Sequence, residues 1–149
     1  MLSLETNVAD LLESAAERRG DAIYLRDRER SLSYRETWAE VQALANFLRE
    51  NGVSREDRVA IHLRNRAEVA IALFATAAAG GTFVVMNEKL KEKGVSKILS
   101  QAEPTAVIAD TATIENIPAE GPNLRIAIGD SAPENWFSWA DATLSLIHI

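Results

Sequence analysis

Apolar residues recur at helical spacing from the start of the chain. In NVADLLESAAERRG, Val8, Leu11, Leu12, Ala15 and Ala16 fall at i, i+3, i+4, i+7 and i+8, which predicts a helix with one buried stripe. Thr6 or Asn7 is placed to cap it and Gly20 to end it. AIYLRDRERSLSY then alternates around a charged tip at 27–30 and predicts a short hairpin. Ser33 followed by Glu36 forms a capping box, after which Tyr34, Trp38, Val41, Leu44, Ala45 and Leu48 continue a helical stripe that stops at Gly52. REDRVAIHL turns from charge into an apolar strand at 59–63, and Asn65 with Glu68 reads as the cap of the next helix.

That next helix is apolar nearly all round over 68–79, a pattern a helix tolerates when it is buried on most faces. It runs into Gly80-Gly81 and then into TFVVM, so the residues from Val69 to Met86 form an uncharged stretch of eighteen. A membrane span needs roughly 20 apolar residues in continuous helix, and here the two glycines interrupt before a β-branched and aromatic run that favours strand. A buried helix turning into a strand is the expectation. LKEKGVSKILSQAE places Leu90, Val95, Ile98, Leu99 and Ala102 on one side ahead of Pro104, and TAVIAD and LRIAIGD are short apolar runs ending in Asp110 and Asp130, the form of buried parallel strands. Helix alternating with strand implies an α/β fold, with helices layered on a mostly parallel sheet and a short N-terminal hairpin.

Composition narrows the function more than the fold. A chain of 149 residues with 47% hydrophobic and 26% charged residues has the profile of one globular domain, or one piece of a larger one. A net charge of −6 argues against nucleic acid, whose phosphates require a basic face. The absence of cysteine excludes disulfides and thiolate metal sites, and MLSLETNVADLLES has acids where a signal peptide has Lys or Arg, so a cytoplasmic protein without a transmembrane segment is expected.

Motif by motif, the chemistry is sparse. Neither a G-x-G-x-x-G loop nor a G-x-x-x-x-G-K-[ST] loop occurs in the sequence. Gly80-Gly81 sits at a helix C-terminus, where left-handed geometry is needed and the dipole repels anions, so a structural turn is favoured over a phosphate nest. His62 alternates with Ile61 and Leu63 and is expected on a polar or half-buried strand face rather than in catalysis. Asp27 with Glu29, and Glu56 with Asp57, read as solvated turn residues; Lys89, Lys91 and Lys93 read as a solvated helix start that could also meet a phosphate.

Three stretches in order resemble the N-terminal part of the AMP-forming acyl-CoA synthetase superfamily, which includes acyl-CoA ligases, peptide-synthetase adenylation domains and luciferases. They are L-S-Y-x-E at 32–36, G-V-x-x-x-D-R-V-A at 52–60 and A-G-x-x-F-V-x-x-N at 79–87. The resemblance covers about residues 6–130 and implies that the glycine turn joins a buried helix to a core strand, with the following loop near the CoA path. Where the family usually has Pro-Leu-Asn-Pro-x-Leu, this chain has Val85-Met86-Asn87-Glu88-Lys89-Leu90. Glu88 for proline loosens the turn, while Lys89 keeps a cation where CoA ligases of the family often place one near the CoA nucleotide. The doubled glycine and LKEKGVSKIL are similar to acyl-CoA ligases of the exosortase-associated type.

The resemblance implies a parent enzyme using ATP, Mg2+ and CoA to activate a small-molecule carboxylate. It also implies that the phosphate loop and the catalytic lysine lie in polypeptide beyond this chain, which would be a partner of the present one. Residues 1–143 are therefore expected to be a partial N-terminal domain. Residues 144–149, Leu-Ser-Leu-Ile-His-Ile, match the in-frame translation of a common transposase-type sequencing adapter and are expected to be a non-native tail without core contacts. The chain alone is expected neither to adenylate a carboxylate nor to hold ATP tightly. Two other readings stand beside the CoA ligase: a peptide-synthetase adenylation domain and a non-catalytic α/β interaction domain.

Overall fold

Residues 7–144 are described by a computed structural model. The element order is α1 (Val8–Arg19), β1 (Ile23–Arg26), β2 (Ser31–Ser33), α2 (Tyr34–Glu50), β3 (Arg58–His62), α3 (Ala67–Ala78), β4 (Thr82–Val85), α4 (Glu92–Ala102), β5 (Ala106–Asp110), a 3₁₀ turn at Ile114–Asn116, β6 (Leu124–Ile128), β7 (Phe137–Ser138) and α5 (Trp139–Ala142). Strands β1 and β2 pair antiparallel, and the other five form a parallel sheet in the order β4-β3-β5-β6-β7. This is the layered α/β architecture that the alternating pattern predicts. Thr6 and residues 145–149 lie outside the described residues, so the expectation of an unpacked tail meets the structure only at Leu144, which is exposed.

Alternation along each strand divides the core in two. Val59, Ile61, Ala106, Ile108 and Ile126 face Leu44, Leu48, Ile71 and Ala75 of α2 and α3. Ala60, Val107 and Ala109 face Val95, Leu99 and Ile117 on the opposite side. Every residue of β5 is buried, as expected of a central parallel strand covered on both faces. Local side-chain caps begin α1 and α2. Asn7 accepts from the Ala9 N–H at 2.8 Å, and Ser33 accepts from the Glu36 N–H at 3.0 Å while the Glu36 carboxylate returns a bond to the Ser33 N–H.

Three expectations about packing are corrected. The buried stripe of α1 is Ala9, Leu12 and Ala16, whereas Val8 and Leu11 are 37% and 53% exposed. Small alanines let α1 lie close to α2 and α3, and the bulkier pair is rotated out of that contact. The strand after the glycine turn is an edge of the sheet rather than a core strand, with Phe83 38% and Val85 52% exposed. His62 is fully buried in the packed face toward α4, not on a polar or half-buried one.

Candidate functional site

In a parallel sheet, ligands gather outside the carboxyl ends of strands where the chain reverses its direction across the sheet. Here the chain leaves β3 for β4 on one side and returns through α4 to β5 on the other, so the reversal lies between β3 and β5. Charged residues gather at the ends of these two strands. Arg64 and Arg66 stand after β3, and Asp110 ends β5.

Asp110 is completely buried and its carboxylate is fully engaged. One oxygen accepts from the Arg64 N–H at 2.9 Å and the Arg64 guanidinium at 3.3 Å; the other accepts from the Ala112 and Thr113 N–H groups at 2.8 and 3.2 Å. Arg66 lies 3.8 Å away. Burial by itself would raise this carboxyl's pKa, but the Arg64 and Ala112 N–H bonds and the Arg64 charge hold it below the ordinary carboxylate range.

From Arg66 the charges continue in alternating sign. Arg66 contacts Glu68 at 3.0 Å, Glu68 meets Arg30 at 3.2 Å, and Arg30 grips Glu40 with two bonds at 2.8 and 3.0 Å. The bond to Glu40 raises the Arg30 pKa above its ordinary value despite burial. This row ties the hairpin tip, α2, α3 and β5 together. Glu68 is therefore a buried member of an ion-pair network rather than a capping residue. The α3 cap comes from far away in sequence: the Asp27 carboxylate accepts from the Ala67 N–H at 2.7 Å, and from the Glu29 and Arg30 N–H groups at 2.8 Å. The Ala67 bond leads in holding Asp27 below its ordinary range. Asn65 caps nothing; its N–H donates to Glu88 at 3.3 Å. Asp27 is thus a structural anchor rather than a solvated turn residue, while Glu29 stays exposed and reaches Arg66 at 3.5 Å.

An open crevice of about 800 Å3 lies between the hairpin tip, the start of α3 and Glu88. Its wall mixes Arg26, Arg28, Arg64 and Arg66 with Asp27, Glu29 and Glu88, so neither sign dominates. A second cavity of about 750 Å3 lies at the opposite, N-terminal ends of the strands, near Ser96 and Pro118. Lys89 borders neither cavity. It is exposed on the loop after β4, where the Asn87 side chain accepts its N–H at 2.8 Å and the Asn87 carbonyl accepts the Leu90 N–H at 3.1 Å. Lys91 and Lys93 are likewise exposed. Sequence reading singled out Lys89 but not the Arg64–Arg66–Asp110 cluster, for which the available signal was an acid ending an apolar strand and two arginines flanking an asparagine after another.

Among the described residues no helix is long and apolar enough to cross a membrane, and no three His, Asp or Glu side chains converge on a metal position. The parallel sheet and its helical layers define an α/β fold with a charged crevice beyond the carboxyl end of β3. Residues 12–144 match the family described as AMP-binding enzyme, and the chain belongs to that family. It is 35% identical over 111 residues to the AMB antimetabolite synthetase AmbB of Pseudomonas aeruginosa, covering 74% of this chain and 9% of AmbB. It is 33% identical over 122 residues to enterobactin synthase component F of Shigella flexneri, covering 80% of this chain and 9% of that protein. The chain thus spans less than a tenth of the length of these curated relatives. In fold it is similar to the anthranilate CoA ligase AuaEII solved in complex with anthranoyl-AMP, with a TM-score of 0.87 at 24% identity over 97% of this chain and 29% of that one.

Proposed function

We propose that this chain is the N-terminal part of an acyl-CoA ligase. In the parent, a carboxylate oxygen attacks the α-phosphorus of ATP, releasing pyrophosphate and leaving an acyl-adenylate; the CoA thiol then attacks the acyl carbon and AMP departs. Family membership over residues 12–144 is the observation that carries the adenylation. The choice of CoA is supported by Lys89, an exposed cation on the loop after β4 that is free to meet a phosphate of the CoA nucleotide. The triphosphate and its Mg2+ are assigned to no residue of this chain, because the sequence has no phosphate loop and the described residues offer no carboxylate cluster for the metal.

In the full-length parent, Lys89→Ala is expected to raise the Michaelis constant for CoA roughly fivefold, the effect of about 1 kcal/mol from one exposed charge contact, and to leave that for ATP unchanged. An unchanged CoA constant would return Lys89 to a solvated surface cation. The chain alone should give no carboxylate-dependent exchange of labelled pyrophosphate into ATP above a no-protein blank, since adenylation needs donors and cations preorganised around the phosphates. Exchange with fatty or aromatic acids would sink the view that the catalytic groups lie elsewhere.

A second reading, an adenylation domain that passes its acyl group to a carrier-protein thiol, is favoured by one observation: relatives above 30% identity include a synthetase and a synthase component. Acyl transfer to a carrier and not to free CoA would establish it. Membership in a family of AMP-binding enzymes weighs against a non-catalytic interaction domain.

A further inference from the structure

Strand β4 is an open edge of the parallel sheet and carries none of the devices that blunt such an edge. Its sequence, TFVV, has no charge and no proline, and its register with β3 runs without a bulge. The Thr82 and Met86 N–H groups donate to the Asp57 and Ile61 carbonyls at 2.7 and 2.8 Å, so backbone alternation turns residues 82, 84 and 86 toward β3. The N–H and C=O groups of Phe83 and Val85 therefore point out of the sheet. Their side chains, in register with Val59 and Ile61, lie on the face covered by α2 and α3 and are 38% and 52% exposed. The neighbouring helix α3 has no charged residue after Glu68, and its one hydroxyl, Thr76, is buried. A helix of that composition calls for apolar surroundings on every side, yet Val69, Ala70, Leu73 and Phe74 are only half-buried. The other edge strand, β7, is two residues long.

We propose that β4 pairs antiparallel with β4 of a second copy of this chain, about a two-fold axis through Val84. Only residues whose backbone groups point outward can bond across the edge. That condition sets Phe83 opposite the partner's Val85, and Val85 opposite the partner's Phe83, with each pair exchanging both of its N–H to C=O bonds. An aromatic ring then lies against a β-branched side chain in both pairs, a favourable cross-strand combination. The helices fit the same axis. Helix α3 joins β3 to β4 and packs against both. With strands about 4.8 Å apart, two α3 helices related by that axis come about 10 Å from each other, the spacing of packed helices. Each would cover the half-open apolar side of the other above the Phe83 and Val85 pairs. A second copy is the occupant that the edge itself specifies, because the same residues supply both halves of every pair and no charge in the strand repels its own image. The pairing does not rest on the CoA reading, since Lys89 lies outside the paired segment.

The test is sedimentation equilibrium of the 149-residue chain over a wide dilution series. The mass should rise from 16.3 kDa to twice that value and stop there. Val85→Pro removes an outward N–H that β3 does not use, so the monomer should keep its circular dichroism. Its dimer dissociation constant should rise roughly 25-fold, from two symmetric bonds at about fivefold each. Register is read with single cysteines in a chain that has none. Val84→Cys falls on the axis as a non-hydrogen-bonded pair with Cα atoms about 4.5 Å apart, within disulfide range, and should cross-link under oxidised glutathione. Thr82→Cys, on the same face of β4, stands opposite the partner's Met86 and should not. Cross-linking reads the pairing even if the proline variant fails to fold. The proposal is overturned by mass growth past a dimer, by a folded Val85→Pro that associates as tightly as the wild type, or by cross-linking of Thr82→Cys in place of Val84→Cys. A chain that stays monomeric at every concentration also overturns it, and assigns the edge to a strand from elsewhere in the parent.

Discussion

Asp110→Ala is expected to destabilise the chain by about 3 kcal/mol and to lower its melting temperature by about 10 °C, because three backbone donors lose one acceptor group. The carboxylate accepts from the N–H groups of Arg64, Ala112 and Thr113 and neutralises part of the charge of Arg64 and Arg66. Alanine satisfies none of these. Water would recover part of the loss on the Arg64 side, where the guanidinium is half exposed, and so the full cost of three orphaned donors is not reached. Asn should be intermediate, since one oxygen remains to accept but the amide nitrogen opposes the other donors. The pH dependence provides a separate check. Asp110 titrates below its ordinary value of 3.8, so its contribution is present above that pH and fades as pH falls through the lower folded value. The gap between wild type and Asp110→Ala in thermal melts should therefore be wide at pH 7 and narrow toward pH 3. A loss under about 1 kcal/mol at pH 7 would mean that the buried carboxylate is not what holds the ends of β3 and β5 together.

The parts of this molecule that were legible in sequence are those whose causes are local. Ser33 and Glu36 sit three residues apart and satisfy each other's backbone, so the start of α2 is written in five letters. The parallel strands announce themselves because burial on both faces demands unbroken apolar runs. The start of α3 misleads for the opposite reason. Asn65 and Glu68 have the spacing of a cap, yet Glu68 is drawn into pairing with Arg30 and Arg66, and the capping carboxylate arrives from Asp27 in the hairpin. Long-range ion pairs leave no periodic signature. His62 fails similarly: alternation shows which face of β3 it occupies, but only the packing of α4 and the 3₁₀ turn shows that this face is closed. In α1, the sequence contains two overlapping stripes, and the one with the smaller side chains is buried because helices approach closest over alanine.

The doubled glycine separates into two different requirements, and the second of them gives the other large expected effect. Gly80 ends the turn after α3 with φ at +89°, a left-handed conformation, and a Cβ there would come no nearer than 3.7 Å to the Arg55 Cα. Gly80→Ala should therefore cost only the conformational strain, about 1 kcal/mol. Gly81 is constrained by contact rather than by φ. A Cβ at that position would stand 2.9 Å from the Asp57 carbonyl oxygen and 3.3 Å from the Thr76 methyl, both on well-anchored groups. The Asp57 carbonyl accepts the Thr82 N–H at 2.7 Å, the first bond aligning β4 on the approach to β3, and Thr76 accepts the Gly81 N–H at 2.9 Å. Relieving the clash means moving backbone at the start of two paired strands. Gly81→Ala is thus expected to cost about 2–3 kcal/mol, through overpacking and weakened backbone bonds. Denaturant melts of the two single variants distinguish the cases, and equal small losses would show that the Asp57 turn yields easily and that close approach is not the reason for glycine at position 81.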